Sequence, residues 1–211
     1  MVFGLGVLVA AFASIFTIVN PFSTASIFLA LTRDLDHTER KAIARRAAIF
    51  ATGLLLVFTF VGSAILSFFS ITLDAFRLAG GLLITAVGWQ MVRGKRERLS
   101  SQNTKGVYHR DDISIVPIAI PFLAGPGAIT TVLVLVSESS SAFMTIQIGV
   151  AAIVVMVLSY IVLSESDRIV RYIGEAGKEA IEKIMGLIVL VVGVQFMING
   201  MKAVLVTWGV L

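Results

Sequence analysis

Two stretches of this chain combine proline, glycine and hydroxyl side chains in a way that suits anion binding. They are Asn20-Pro21-Phe22-Ser23-Thr24 and Pro121-Phe122-Leu123-Ala124-Gly125-Pro126-Gly127-Ala128-Ile129-Thr130-Thr131. Proline has no N–H and clashes with the carbonyl four residues back, and flanking glycine lowers the cost of leaving helical geometry. Proline is well placed, however, at the first position of a new helix. With Asn20 and Gly125 as N-caps, Pro21 and Pro126 each open a half-helix, expected over residues 21–32 and 126–136. Such ends present unpaired N–H groups and the positive pole of the helix dipole, and a carboxylate is stabilised there. Ser23, Thr24, Thr130 and Thr131 lie within one turn and can add hydrogen bonds. The candidate substrate-binding set is therefore Asn20, Pro21, Ser23, Thr24, Gly125, Pro126, Gly127, Thr130 and Thr131. Ser26 is left out, because its hydroxyl serves equally well to bond back to a carbonyl one turn earlier.

The two stretches obey one repeat. A shift of 105 residues places Asn20-Pro21 on Gly125-Pro126, and Gly81 to Gln90 on Gly186 to Gln195 with five identities. Twice that offset is nearly the whole 211 residues, so the chain reads as a duplicated unit. We divide its single membrane domain into repeat one (1–92), a polar linker (93–112) and repeat two (113–211).

The elements that carry the motifs are membrane helices. Hydrophobic residues make up 57% of the chain and charged ones 14%, against about 45–50% and 25% in an ordinary soluble domain. Mean hydropathy is +0.96. Stretches free of Asp, Glu, Lys and Arg cover residues 1–32, 47–73, 78–92, 113–137, 139–164 and 184–201, and a spanning helix needs about 20 residues. These predict six spans, three per repeat. The third is shortest, between Arg77 and Arg93, with Arg77 expected to snorkel. The alternating ten-residue pattern of barrel strands is not seen. Both proline motifs fall close to the midpoints of spans 1 and 4, near the bilayer centre. Backbone groups freed at that depth cost several kcal/mol each unless protein or a water-filled cavity satisfies them.

Charge placement orients the spans. Of the 17 Lys and Arg residues, 15 fall in the loops after spans 1, 3 and 5, and only Arg77 and Lys202 do not. By the positive-inside rule those loops are cytoplasmic and both termini are outside. The basic balance thus reports topology, and no nucleic-acid partner is expected. Because each repeat has an odd number of spans, the repeats are inverted about an axis in the membrane plane. Secondary transporters built this way hold substrate near midplane, beside interrupted helices. Ala11-Phe12-Ala13 resembles a signal-peptide cleavage site, but no basic segment precedes it and cleavage would destroy span 1. Asp36 to Glu39 reads as a capping box opening span 2, Asp112 as a cap of span 4, and Trp208 as an interfacial anchor.

Competing readings are weaker. Proline kinks and close packing of small residues explain either motif alone, but not both at matching positions and equal depth. Gln90 and Gln195 are off midplane and suit packing or gating, while Gly81, Gly88, Gly186 and Gly193 form a close-packing stripe. A channel with opposed half-helices, as in aquaporins, is the main alternative, although Gly125 stands where a second Asn-Pro pair would need asparagine. An enzyme is not expected. Cysteine is absent, both histidines (His37 and His109) lie in charged loops, and hydroxyls without a base are poor nucleophiles. No metal site or cofactor is expected, and no acidic residue lies near a span centre to couple a proton.

The pieces Asn20-Pro21, Phe76-Arg77-Leu78-Ala79-Gly80-Gly81, Val116-Pro117-Ile118-Ala119-Ile120-Pro121 through Thr130, and Ile184-Met185-Gly186-Leu187 resemble the MarC family of prokaryotic inner-membrane proteins, over essentially the whole chain. Many members carry glycine two residues after the Asn-Pro pair, where this chain has Ser23. Members of the SnatA branch are described as transporters of small neutral amino acids. The resemblance implies that activity here, with glycine or alanine as substrate, or else export of other small molecules. It also suggests coupling to a proton or sodium gradient, which the sequence assigns to no residue.

Overall fold

The computed structural model describes residues 2–32, 35–93 and 114–207, and all regular structure among them is helical. In chain order the helices are α1 (Val2–Val19), α2 (Pro21–Leu31), α3 (His37–Phe68), α4 (Leu73–Arg93), α5 (Ser114–Leu123, π-helical), α6 (Pro126–Ser137), α7 (Ala142–Ser164) and α8 (Ser166–Thr207). The expected linker beyond Arg93, the Asp112 cap and Trp208 lie outside the described residues.

Local chemistry sets the helix starts. The Asp36 carboxylate accepts from Glu39 N–H at 2.7 Å and the Glu39 carboxylate from Asp36 N–H at 3.3 Å, so the expected capping box opens α3. Ser141 caps α7 by accepting from Met144 N–H at 3.3 Å. Shifted by 105 residues, α2 and α3 start where α6 and α7 start: Pro21 on Pro126, and His37 on Ala142. Two features depart from the regular α-helices expected. Before Pro126 the chain is π-helical, because Pro117 and Pro121 withhold N–H donors and the ladder shifts to five-residue bonds; Ala124 N–H reaches the Ala119 carbonyl at 2.8 Å. The last helix begins well before the expected residue 184 and bends at Gly174, whose φ of 71° is open to glycine at no steric cost.

Among the described residues, five helical segments are long and apolar enough to cross a membrane: Gly6–Leu29, His37–Phe68, Leu73–Arg93, Ala142–Ser164 and Glu179–Val206. The segment expected as span 4 is divided between α5 and α6, each shorter than a bilayer crossing.

The packing has a centre of small and apolar side chains, with a few buried polar ones such as Asn20 and Thr130, and an apolar exterior. Ala44, Ala47 and Ala51 on α3 and Ala151 and Ala152 on α7 are fully buried, and such small faces let backbones approach closely. Large apolar side chains point outward instead, among them Phe60, Val61, Leu82, Val87, Ile153, Val157, Leu187 and Val191. A soluble monomer rarely exposes so much contiguous apolar surface, whereas lipid covers it at no cost.

α4 packs most extensively on α8. A Cβ added at Gly81 would lie 2.7 Å from the Gly193 carbonyl oxygen, and one at Gly88 would lie 2.8 Å from that of Gly186. Under the 105-residue shift each contact becomes the other: Gly81 falls on Gly186, and Gly88 on Gly193. Other packings come in such pairs. α1 packs on α7 as α5 does on α3, and α2 on α7 as α6 does on α3, while α4 packs on α6 more closely than α8 does on α2.

Candidate functional site

The first break is a single residue wide. Asn20 adopts the left-handed conformation (φ 45°, ψ 70°), which asparagine tolerates better than most residues. Its N–H ends α1 by donating to Phe16 O at 2.9 Å, and its carbonyl opens α2 by accepting from Thr24 N–H at 3.1 Å. Pro21 has no N–H to offer the Thr17 carbonyl. The Asn20 Oδ1 accepts from Ser23 N–H at 3.3 Å, so this side chain is the cap of α2. The residue is only 3% exposed. The other end of its amide, Nδ2, is buried with no protein partner. A buried amide N–H without an acceptor costs about 1–3 kcal/mol, so its retention calls for a partner or a purpose.

The second break supplies backbone alone. Gly125 is extended (φ −76°, ψ 175°) and has no side chain to cap α6; its carbonyl accepts from Ile129 N–H at 3.0 Å. Gly127 in the first turn of α6 is tightly bounded. A Cβ there would lie 3.1 Å from Ile18 Cγ2 and 3.0 Å from Ile84 Cγ1. This contact brings the start of α6 against the last turn of α1, two residues before Asn20, so the two breaks meet. α4 closes the third side.

The candidate hydroxyls are mostly occupied. Thr24 donates to Asn20 O at 3.2 Å, Thr130 to Pro126 O at 2.8 Å and Thr131 to Gly127 O at 2.9 Å, each one turn back along its own helix. Ser26 likewise bonds back to Phe22 O at 3.5 Å. Ser23 lines a cleft between α2 and α8. Pro21 is buried, Pro126 is exposed, and Thr130 packs against Gly80. Gln90 and Gln195 both lie on the exposed surface, where Gln195 Nε2 donates to Asn199 Oδ1 at 2.9 Å, away from the breaks.

Sequence reasoning missed Gly80, Glu182 and Gly174. Gly80 receives Thr130, Glu182 lines the α2–α8 cleft, and Gly174 bends the helix beside it. Only Gly80 carried a signal, as part of Ala79-Gly80-Gly81.

Ion pairs sit at both ends of the bundle. Arg40 pairs with Asp167, and Lys41 with Glu165 at 3.5 Å, joining α3 to the α7–α8 junction. At the opposite end Arg77 pairs with Asp74 at 3.3 Å and with Glu138 at 2.7 Å, bridging α4 to the residue that follows α6. The side chain of Arg77, expected to snorkel, is 15% exposed and ion-paired at this end of the bundle.

An all-helical bundle with an apolar exterior and candidate membrane-crossing helices is an integral membrane protein. Residues 5–205 match the MarC family of integral membrane proteins, and the chain belongs to that family. A UPF0056 membrane protein of Methanocaldococcus jannaschii is 35% identical over 93% of this chain and 97% of its own. Similar relatives are a UPF0056 membrane protein of Aquifex aeolicus (34%, covering 93% of each chain) and YvbG of Bacillus subtilis (34%, 92% of this chain and 94% of its own). No solved structure matches this chain.

Proposed function

We propose that this protein is a secondary transporter of small neutral amino acids, glycine and alanine, which it moves across the prokaryotic plasma membrane by alternating access. The observation that carries the reading is the Asn20 amide: a 97% buried side chain whose Nδ2 lacks an acceptor, at the start of a half-helix that meets a second one. A substrate carboxylate supplies that acceptor and lies on the N–H groups at the starts of α2 and α6. The substrate ammonium takes backbone carbonyls that the prolines leave without an N–H partner. Ile18 and Ile84 crowd Gly127, and a site bounded this tightly favours a substrate whose side chain is a hydrogen or a methyl.

The architecture proposed is six spans in two inverted repeats, with spans 1 and 4 broken near the midplane. The paired helix contacts and the reciprocal glycine contacts of α4 and α8 support it. Arg40, Lys41 and Arg168 mark the cytoplasmic face, which puts both termini outside. A proton or sodium gradient drives uptake, and no covalent step is involved.

Ligand-dependent stability tests the substrate class. A ligand that binds only the folded protein stabilises it by about 2.7 kcal/mol at 100 times its Kd. Glycine and alanine are expected to raise the melting temperature of the purified protein, and leucine and glutamate to leave it unchanged. A shift with the larger compounds alone sinks the assignment.

A further inference from the structure

The two halves match in most of their packing, but they differ around the broken helices. On one side α4 closes directly onto α6. A Cβ at Gly80 would lie 2.7 Å from Thr130 Cβ, Ile84 crowds Gly127, and Arg77 bridges to Glu138 at 2.7 Å. The counterparts, 105 residues away, are Met185 for Gly80, Val189 for Ile84, Phe22 for Gly127 and Glu182 for Arg77. There a cleft opens between α2 and α8, walled by Phe22, Ser23, Ser26, Ile173, Ile181 and Glu182. Closing it in the manner of α4 on α6 requires α8 to move onto α2. Gly174 is the left-handed bend in α8, and Ile173 and Ile181 on either side of it both line the cleft.

We infer that the α2–α8 cleft is the open mouth leading to the Asn20 break, on the face that carries Arg40, Lys41 and Arg168. The Arg77–Glu138 pair and the Gly80–Thr130 contact are the latch that shuts the opposite mouth. The inference rests on the inverted-repeat transporter reading proposed above. The cleft wall includes Ser23, whose N–H is capped by Asn20, so a solute in the cleft is one residue contact from the break. Glu138 is 58% exposed at its side chain and holds Arg77 from the solvent side, so removing its charge weakens the latch with little effect on packing. In the alternate state α4 leaves α6 and α8 closes on α2.

The natural chain has no cysteine, so single-cysteine labelling needs no background correction. Ser26→Cys and its counterpart Thr131→Cys, in full-length protein, are exposed to a membrane-impermeant maleimide in right-side-out and everted vesicles. Ser26→Cys is expected to label from the basic face and Thr131→Cys from neither. Adding Glu138→Gln is expected to raise labelling of Thr131→Cys from the opposite face by about five-fold and to slow labelling of Ser26→Cys, because one equilibrium governs both mouths. Gly80→Ala, which wedges α4 from α6 without touching a charge, is expected to shift the two rates the same way. Reciprocal shifts support the latch. Unchanged rates, rates that rise together, or labelling of Ser26→Cys only from the opposite face overturn it. Labelling needs no transported substrate: failed glycine uptake with this pattern intact refutes the substrate reading alone, and intact uptake without reciprocal labelling refutes the latch alone.

Discussion

Gly127→Leu is expected to reduce glycine uptake about 100-fold while the protein still folds and reaches the membrane, because a misplacement on the order of 1 Å has that effect where geometry is tight. The position is in the first turn of α6, and even a bare Cβ would come within 3.0 Å of Ile84 and 3.1 Å of Ile18. Those neighbours can give by a few tenths of an ångström, which accommodates alanine. The further carbons of leucine need space that both isoleucines fill, so α6 must slide away from the end of α1. Its N–H groups then no longer converge with those of α2. The strain itself costs about 1–3 kcal/mol, which a membrane bundle of this size tolerates. Gly127→Ala should retain much of the uptake. Equal uptake by wild type and Gly127→Leu would remove α6 from the binding site.

Gly88→Leu is expected to act on assembly rather than on the site. Here the obstruction is backbone: an added Cβ would lie 2.6 Å from Leu190 Cα and 2.8 Å from the Gly186 carbonyl. No rotamer change relieves that contact, so α4 and α8 must separate along the most extensive helix pair in the protein. The expected loss is about 4 kcal/mol, in the range reserved for failures of core packing. It should appear as aggregation or a lowered melting temperature in detergent. Gly193→Leu occupies the equivalent place and should behave alike, since a Cβ there meets the Gly81 carbonyl at 2.8 Å. Because either substitution opens the same interface, the double variant should lose less than the sum of the two. A Gly88→Leu protein that melts with the wild type would contradict this packing.

Much of this architecture was legible because membrane helices leave broad signals. Apolar runs located the long helices, Asp36 and Glu39 located the start of α3 to the residue, and a 105-residue offset between two proline motifs located the start of α6 from that of α2. The glycine spacing of seven marked a close-packing face on α4 and another on α8, since such residues recur on one helix face, but not that the two faces meet. Other features have no one-dimensional trace. The π-helical α5 depends on where donors withheld by Pro117 and Pro121 are replaced, and the pattern of apolar residues is the same for either ladder. Gly174 sits in a charged stretch where a bend and a turn read alike. Thr24, Thr130 and Thr131 were candidates to reach a ligand, yet a threonine hydroxyl in a helix has a carbonyl one turn back within reach, and all three use it. The pairing of Arg77 with Glu138 joins residues 61 positions apart and emerges only when α4 lies against α6.

Asn20 is where the account is most exposed. Asn20→Gly keeps a residue at ease with the left-handed conformation and costs only a few tenths of a kcal/mol as a cap, but it deletes the buried Nδ2. Loss of a hydrogen bond to a charged group is worth about 1.5–3 kcal/mol, or roughly 10- to 100-fold in affinity. The direct measurement is glycine uptake into liposomes by the purified wild-type protein and by Asn20→Gly. Saturable uptake competed by alanine, with a half-saturation constant raised at least about ten-fold in the variant, is the predicted result. Non-saturable flux, or the same half-saturation constant in both proteins, would contradict it.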